Sequence, residues 1–202
     1  MRVKSGQFSV EFMIVIAFLL IALATISLPL YNRARADAQK ASDLADAREA
    51  AFTLANALNT VYADGVGSKK TVEYWLPKGV AAIYADADID GVDTDNDGIP
   101  DDPPRNGCLD VQIWFDLDGD NNPDLGDREA VVLVETILPS KWDENGNLRQ
   151  DWENRCPEIN DENFMIDLTH RTLHQVTISY TYSVGYTRPR RIALVDNIIK
   201  VI

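Results

Sequence analysis

The stretch from Phe12 to Leu28 limits what this chain can become more than any other part of it. Its 17 residues contain only two polar members, Thr25 and Ser27. About 20 apolar residues span a bilayer, and Gln7 to Leu28 has that length. Arg2 and Lys4 precede the run, and Glu11 stands at its border. Such a segment must be cut away as a signal, held in lipid, or buried by partners. A secretory signal would find a small-residue site at Ala22-Leu23-Ala24. The apolar pattern nevertheless continues through Ile26, Leu28 and Leu30, and Glu11 interrupts the approach to it. A plain transmembrane anchor suits the length but gives no reason for a glutamate at the start.

Beyond the run the helical pattern persists. Pro29 lies where apolar and polar halves meet, so the sequence predicts a kink there and not a stop. Tyr31 to Ala63 has no Gly or Pro and is rich in alanine, a strong helix former. Leu44, Ala47, Ala51, Leu54, Leu58 and Val61 recur at spacings of three and four, tracing one face. Asp43, Asp46, Arg48, Glu49 and Asn56 fall between them, so this half should lie against a folded head. Asp64-Gly65-Val66-Gly67 supplies a helix stop. A helix from Gln7 to Ala63 would be about 85 Å long.

The segment Lys4-Ser5-Gly6-Gln7-Phe8-Ser9-Val10-Glu11-Phe12 resembles the archaeal class III signal peptide, a basic residue and Gly followed by Gln-x-Ser-x-Glu-Phe. That family comprises type IV pilin-like proteins processed by a membrane prepilin peptidase. The resemblance implies cleavage between Gly6 and Gln7, so that residues 1–6 are a leader and Glu11 is the fifth mature residue. It also implies a homopolymeric filament, built by a pilus assembly machinery, whose core is made of such helices. Cleavage would remove Arg2 and Lys4, the charges that hold a precursor in the membrane. A carboxylate left in apolar surroundings is costly. The new α-amine of Gln7 on a neighbouring subunit is one counter-charge for Glu11; headgroup-level exposure is the other resolution.

Charge is distributed unevenly. The net charge is −13. Residues 86–129 hold 15 acidic residues and only Arg105 and Arg128 as bases, while the remainder is balanced. Phosphate backbones need basic surface, so direct nucleic-acid binding is not expected. Cations are the natural partners.

From Ser68 onward the pattern turns to strands. Val72, Tyr74 and Leu76 alternate, as do Val111, Ile113 and Phe115, then Ala130, Val132 and Val134. The longest alternation is Val176, Ile178, Tyr180, Tyr182 and Val184, and Ile192 to Ile202 closes the chain. The expected fold is α+β: a long hydrophobic helix (residues 7–64, apolar over 7–30 and amphipathic over 31–64) packed on a mainly antiparallel β-rich head, residues 68–202.

Two acidic segments interrupt those strands. In the first, 86–102, two D-x-D-x-D-G units set Asp86, Asp88 and Asp90, then Asp93, Asp95 and Asp97, each ahead of a glycine. Alternate carboxylates before a tight turn are what a loop needs to wrap a hard cation. Asp97 is also position twelve counted from Asp86; the Ile99 carbonyl and Asp101 extend the donor set. The segment resembles thrombospondin type 3 or dockerin-like calcium loops. In the second, 116–127, Asp116, Asp118, Asp120, Asp124 and Asp127 take positions 1, 3, 5, 9 and 12 of a calcium loop, with the Asn122 carbonyl at 7. Asn121 replaces the usual glycine, and Asp127 has a shorter reach than glutamate. As a merely solvated loop, carboxylates about 6 Å apart would repel by roughly 1–3 kcal/mol per pair. Ca2+ is the expected ion.

Cys108 and Cys156 have no metal-binding spacing; in an exported protein an even pair suggests a disulfide, with buried thiols as the alternative. His170 and His174 stand four apart, yet strand alternation follows them, so satisfied polar residues are expected and not a zinc site. Trp114 and Trp142 read as core or interface aromatics. No catalytic constellation stands out, and the chain is read as a non-enzyme. The combined expectation is a structural subunit of a type IV pilus-like extracellular filament, its precursor in the cytoplasmic membrane. The rival is a monomeric membrane-anchored, calcium-dependent adhesin or binding module.

Overall fold

The computed structural model describes residues 5–87, 107–116, 131–141, 143, 147–150, 152, 156–160, 164–167, 169–182 and 190–202. They form one helix, α1 (Ser5–Asp64), and seven strands: β1 (Lys69–Leu76), β2 (Val80–Ala87), β3 (Cys108–Phe115), β4 (Val131–Pro139), β5 (Glu158–Asn160), β6 (Thr172–Tyr182) and β7 (Arg190–Val201). The chain divides into two compact units, Met1–Ser42 and Asp43–Ile202. The α+β arrangement read from the sequence is the one observed.

In the first unit α1 runs through Pro29. Proline lacks the N–H that would bond the carbonyl one turn back. Nearby, the Thr25 hydroxyl donates to the Ala22 carbonyl at 2.8 Å.

In the second unit the buried face of α1 consists of Ala47, Ala50, Ala51, Leu54, Ala55, Ala57, Leu58 and Val61. The face expected from spacing is present except at Leu44, which is 38% exposed. The helix ends as its glycines require. Gly65 adopts φ 84° and Gly67 φ 102°, conformations costly for residues with a Cβ. The Ser68 hydroxyl donates to the Val61 carbonyl at 2.6 Å, satisfying one of the last helical acceptors. The Gly67 N–H then reaches the Tyr180 carbonyl at 2.7 Å, which joins the helix exit to β6.

The described strands form two sheets. The first has the order β1-β6-β7-β5, and the second β2-β3-β4. All pairings are antiparallel except β5 with β7, which is parallel. A turn at Gly79 (φ 80°) carries the chain from the first sheet into the second. One hydrophobic cluster joins the α1 face to Tyr74, Val176, Ile178, Ile192 and Leu194 of the first sheet and to Val111, Ile113, Val132 and Leu138 of the second.

The anticipated strands correspond to β1, β3, β4, β6 and β7; Ala130 and Val184 lie outside the described residues. Strands β2 and β5 were not legible. Alanine at 81, 82 and 85 blurs the polar–apolar alternation of β2, and β5 has three residues.

Candidate functional site

Along the first unit, the apolar side chains of α1 face outward all round. Phe12 is 65% exposed and Phe18 71%, and Leu20, Ile21, Ile26 and Leu28 are similarly bare. A helix satisfies its own backbone hydrogen bonds, but it cannot shield its own side chains. One that is apolar on every face therefore belongs in lipid or among other helices. The span from Phe12 is long and apolar enough to cross a membrane. Gly6, Gln7 and Glu11 lie within α1. The side chains of Gln7 and Glu11 fall outside the described residues.

The acidic segments connect strands of the second sheet. The first leaves from β2, whose last residue Ala87 pairs with Asp110, and re-enters at β3. The second begins at Asp116, whose N–H donates to the Gly79 carbonyl at 2.8 Å, and re-enters at β4. The antiparallel strands expected to flank it are therefore in place. Asp86 lies in β2 and Asp116 just beyond β3. Asp88, Asp90, Asp93, Asp95, Asp97, Ile99, Asp101, Asp118, Asp120, Asn122, Asp124 and Asp127 lie outside the described residues. Among the described residues no group of three or more potential metal ligands occurs.

Sequence reasoning missed the acidic character of the second sheet itself. Asp110 and Gln112 are fully buried on β3, on the face opposite Val111 and Ile113. The Trp114 indole N–H donates to Gln112 Oε1 at 3.0 Å, and Trp114 is buried as expected. Asp110 stands directly across from Glu135 of β4. The polar residues of β3 follow the same alternation as its apolar ones, so period two alone could have marked them for one face.

The expected disulfide is not formed: Cys108 and Cys156 are unbridged. The Cys156 thiol instead meets the Ser140 carbonyl at 3.1 Å, while Cys108 sits on β3 opposite Pro139. A bridge needs sulfurs about 2 Å apart with matched Cβ directions, which sequence spacing does not report.

The histidines are satisfied polar residues on or beside a strand, as anticipated. His174 is fully buried, with Nδ1 2.7 Å from Asp196 Oδ2 and Nε2 2.7 Å from Thr172 Oγ1. The Met165 N–H also donates to Asp196 Oδ2, at 3.1 Å. Tyr74 stacks on His174 with ring centroids 5.4 Å apart. Burial, with the Asp196 charge behind it, pushes the Tyr74 hydroxyl far above the ordinary phenol range. Hydroxyl, imidazole and carboxylate in series are the elements of nucleophilic catalysis, but Thr172 is 1% exposed. The buried series ties β6 to β7. Its signal was available: Thr172 and His174 share the phase of Val176, Ile178 and Tyr180, and Asp196 that of Ile192 and Leu194. His170 sits in an exposed turn beside Asp167, whose carboxyl the Thr169 hydroxyl and N–H, then His170, hold down to about 2.

Comparisons with protein-family models, curated proteins and solved structures return no match to this chain.

Proposed function

We propose that this chain is a structural subunit of a type IV pilus-like extracellular filament. A prepilin peptidase trims it after Gly6, and it polymerises through the helix that begins at Gln7. The observation that carries this reading is the bare apolar surface from Phe12 to Leu30, set against the well-packed core of the second unit. Each large apolar side chain left in water forgoes about 1.5–3 kcal/mol, so the surface needs lipid before assembly and other helices afterwards. The Gly6-Gln7-Phe8-Ser9-Val10-Glu11-Phe12 motif supports the filament over a simple anchor, because by resemblance it supplies a processing site and an acid at the helix start.

Calcium belongs to this reading as the stabiliser of the head. Both acidic segments connect strands of one sheet, and their own carboxylates repel one another. A cation would relieve the repulsion, and its binding energy would become folding energy. The sites expected to bind are Asp86, Asp88, Asp90, Asp93, Asp95, Asp97 and Asp101, with Asp116, Asp118, Asp120, Asp124 and Asp127.

Mass spectrometry of the native N-terminus tests the processing step, and electron microscopy of sheared surface material tests polymerisation. A chain beginning at Gln7 within filaments is the expected result. A membrane-spanning length of helix also suits an anchored, calcium-dependent adhesin; that rival gains if Met1 is retained and the protein stays solitary in membranes. The calcium component is tested separately, by melting the protein with and without chelator. An unchanged transition would remove the metal from the account while leaving the filament.

A further inference from the structure

The polar residues that follow the apolar run have a depth of their own. Phe12 to Leu30 rises about 28 Å along α1, close to the hydrocarbon thickness of a bilayer, about 30 Å. The helix continues through Pro29 and past Leu30, so the next residues can be placed along its axis. Arg33 stands about 4.5 Å past Leu30 and Arg35 about 7.5 Å. Each headgroup layer is about 5–8 Å thick, half the difference between the whole bilayer and its core. Both arginines therefore fall at headgroup level when the apolar run fills the core. Tyr31, 66% exposed, marks the boundary, where the amphipathic ring of tyrosine is favoured. Lys40, about 15 Å past Leu30, stands beyond the layer.

Direction around the axis separates a lipid layer from a protein partner. Residues two apart on a helix point about 200° from one another, so Arg33 and Arg35 leave opposite sides of α1. A single protein face docked on the helix would meet one of them and miss the other. A headgroup layer surrounds the helix and meets both. Both arginines are exposed, and neither forms an ion pair among the described residues. Asp37 is the only acid between residues 31 and 42, against Arg33, Arg35 and Lys40. The guanidinium fork matches two phosphate oxygens, and its aliphatic stem can lie along apolar surface while the head stays polar.

We infer that Arg33 and Arg35 form a collar that binds the phosphates of anionic lipids in the leaflet on the Leu30 side, and so fixes how deep α1 sits. The inference rests on α1 crossing a membrane, which the filament precursor and the anchored rival share, and it adds the lipid contact.

The test reconstitutes the full chain in phosphatidylcholine vesicles that carry traces of spin-labelled lipid, and reads the motionally restricted fraction by electron paramagnetic resonance. Labelled phosphatidylglycerol should be preferred over labelled phosphatidylcholine. Arg33→Gln with Arg35→Gln, which keeps good helix formers, should lower that preference about twofold or more. That is the roughly fivefold gain of one arginine–lipid contact, averaged over the lipids around the helix. Arg33→Lys with Arg35→Lys should keep most of the preference, and high salt should weaken it. Lys40→Gln should leave it unchanged. An undiminished preference in the glutamine pair, or an equal fall for Lys40→Gln, overturns the collar and leaves the spanning helix in place. A wild-type chain that restricts neither labelled lipid overturns the spanning helix as well.

Discussion

The two halves of α1 invert the usual relation between greasiness and burial. From Phe12 to Leu30 most residues are Phe, Ile or Leu, and they are bare. From Ala47 to Val61 the inward residues are mostly alanine, and they are sealed beneath two sheets' worth of apolar side chains. Burial thus follows the neighbours a residue has and not its own hydrophobicity. In the second half, strands supply those neighbours within the same chain, and alanine lets them approach the helix closely. In the first half the described apolar residues are bare, and the proposed filament would supply their neighbours.

The largest effect expected from this contrast concerns residues 1–30. A chain starting at Tyr31 should leave the membrane fraction, losing an insertion energy of about 5 kcal/mol or more, as liposome partitioning would measure. Continued tight membrane association would show that the second unit itself binds lipid. Next, Leu54→Ala and Leu20→Ala delete the same atoms from the two halves. The first should lower the unfolding free energy of the head by about 2–5 kcal/mol, and the second by less than about 0.5. Denaturant titration in detergent, followed by near-ultraviolet dichroism, reports both; equal losses would break the contrast.

A comparable loss, about 3 kcal/mol, is expected for Asp196→Ala, which strands His174 in the core without its carboxylate. A stability change within error would mean that the pair sits in water more than its burial allows. The smallest effect belongs to Tyr74→Phe, which should be neutral or slightly stabilising at neutral pH because it removes a buried hydroxyl with no partner among the described residues. The raised hydroxyl also predicts a slope. The folded state keeps this proton while the unfolded chain releases it, so the contribution is complete below about pH 10 and is lost as pH rises further. Alkaline unfolding of the phenylalanine variant should therefore be less steep.

Much of this fold is visible in single residues. The 3.6-residue period named Ala47, Ala51, Leu54, Leu58 and Val61 of the buried face of α1 but not Ala50, Ala55 or Ala57, and Gly65 marked its end. Strands β1, β3, β4, β6 and β7 announced themselves by alternation, because one face of each meets the core. Strand β2 stayed hidden because alanine fits either face. The division into two sheets stayed hidden because pairing partners are set by contacts across the whole chain.

The candidate sites divide in the same way. The apolar run and the proposed processing motif are local, and the clustering of carboxylates in two inter-strand segments is local too. Composition and spacing carry that information because a short peptide either can or cannot satisfy lipid, a peptidase or a cation. The unbridged state of Cys108 and Cys156 and the seating of His174 between Thr172 and Asp196 were decided only by the tertiary structure. Each depends on distances between residues far apart in sequence, and such distances exist only once the sheets have closed on the helix.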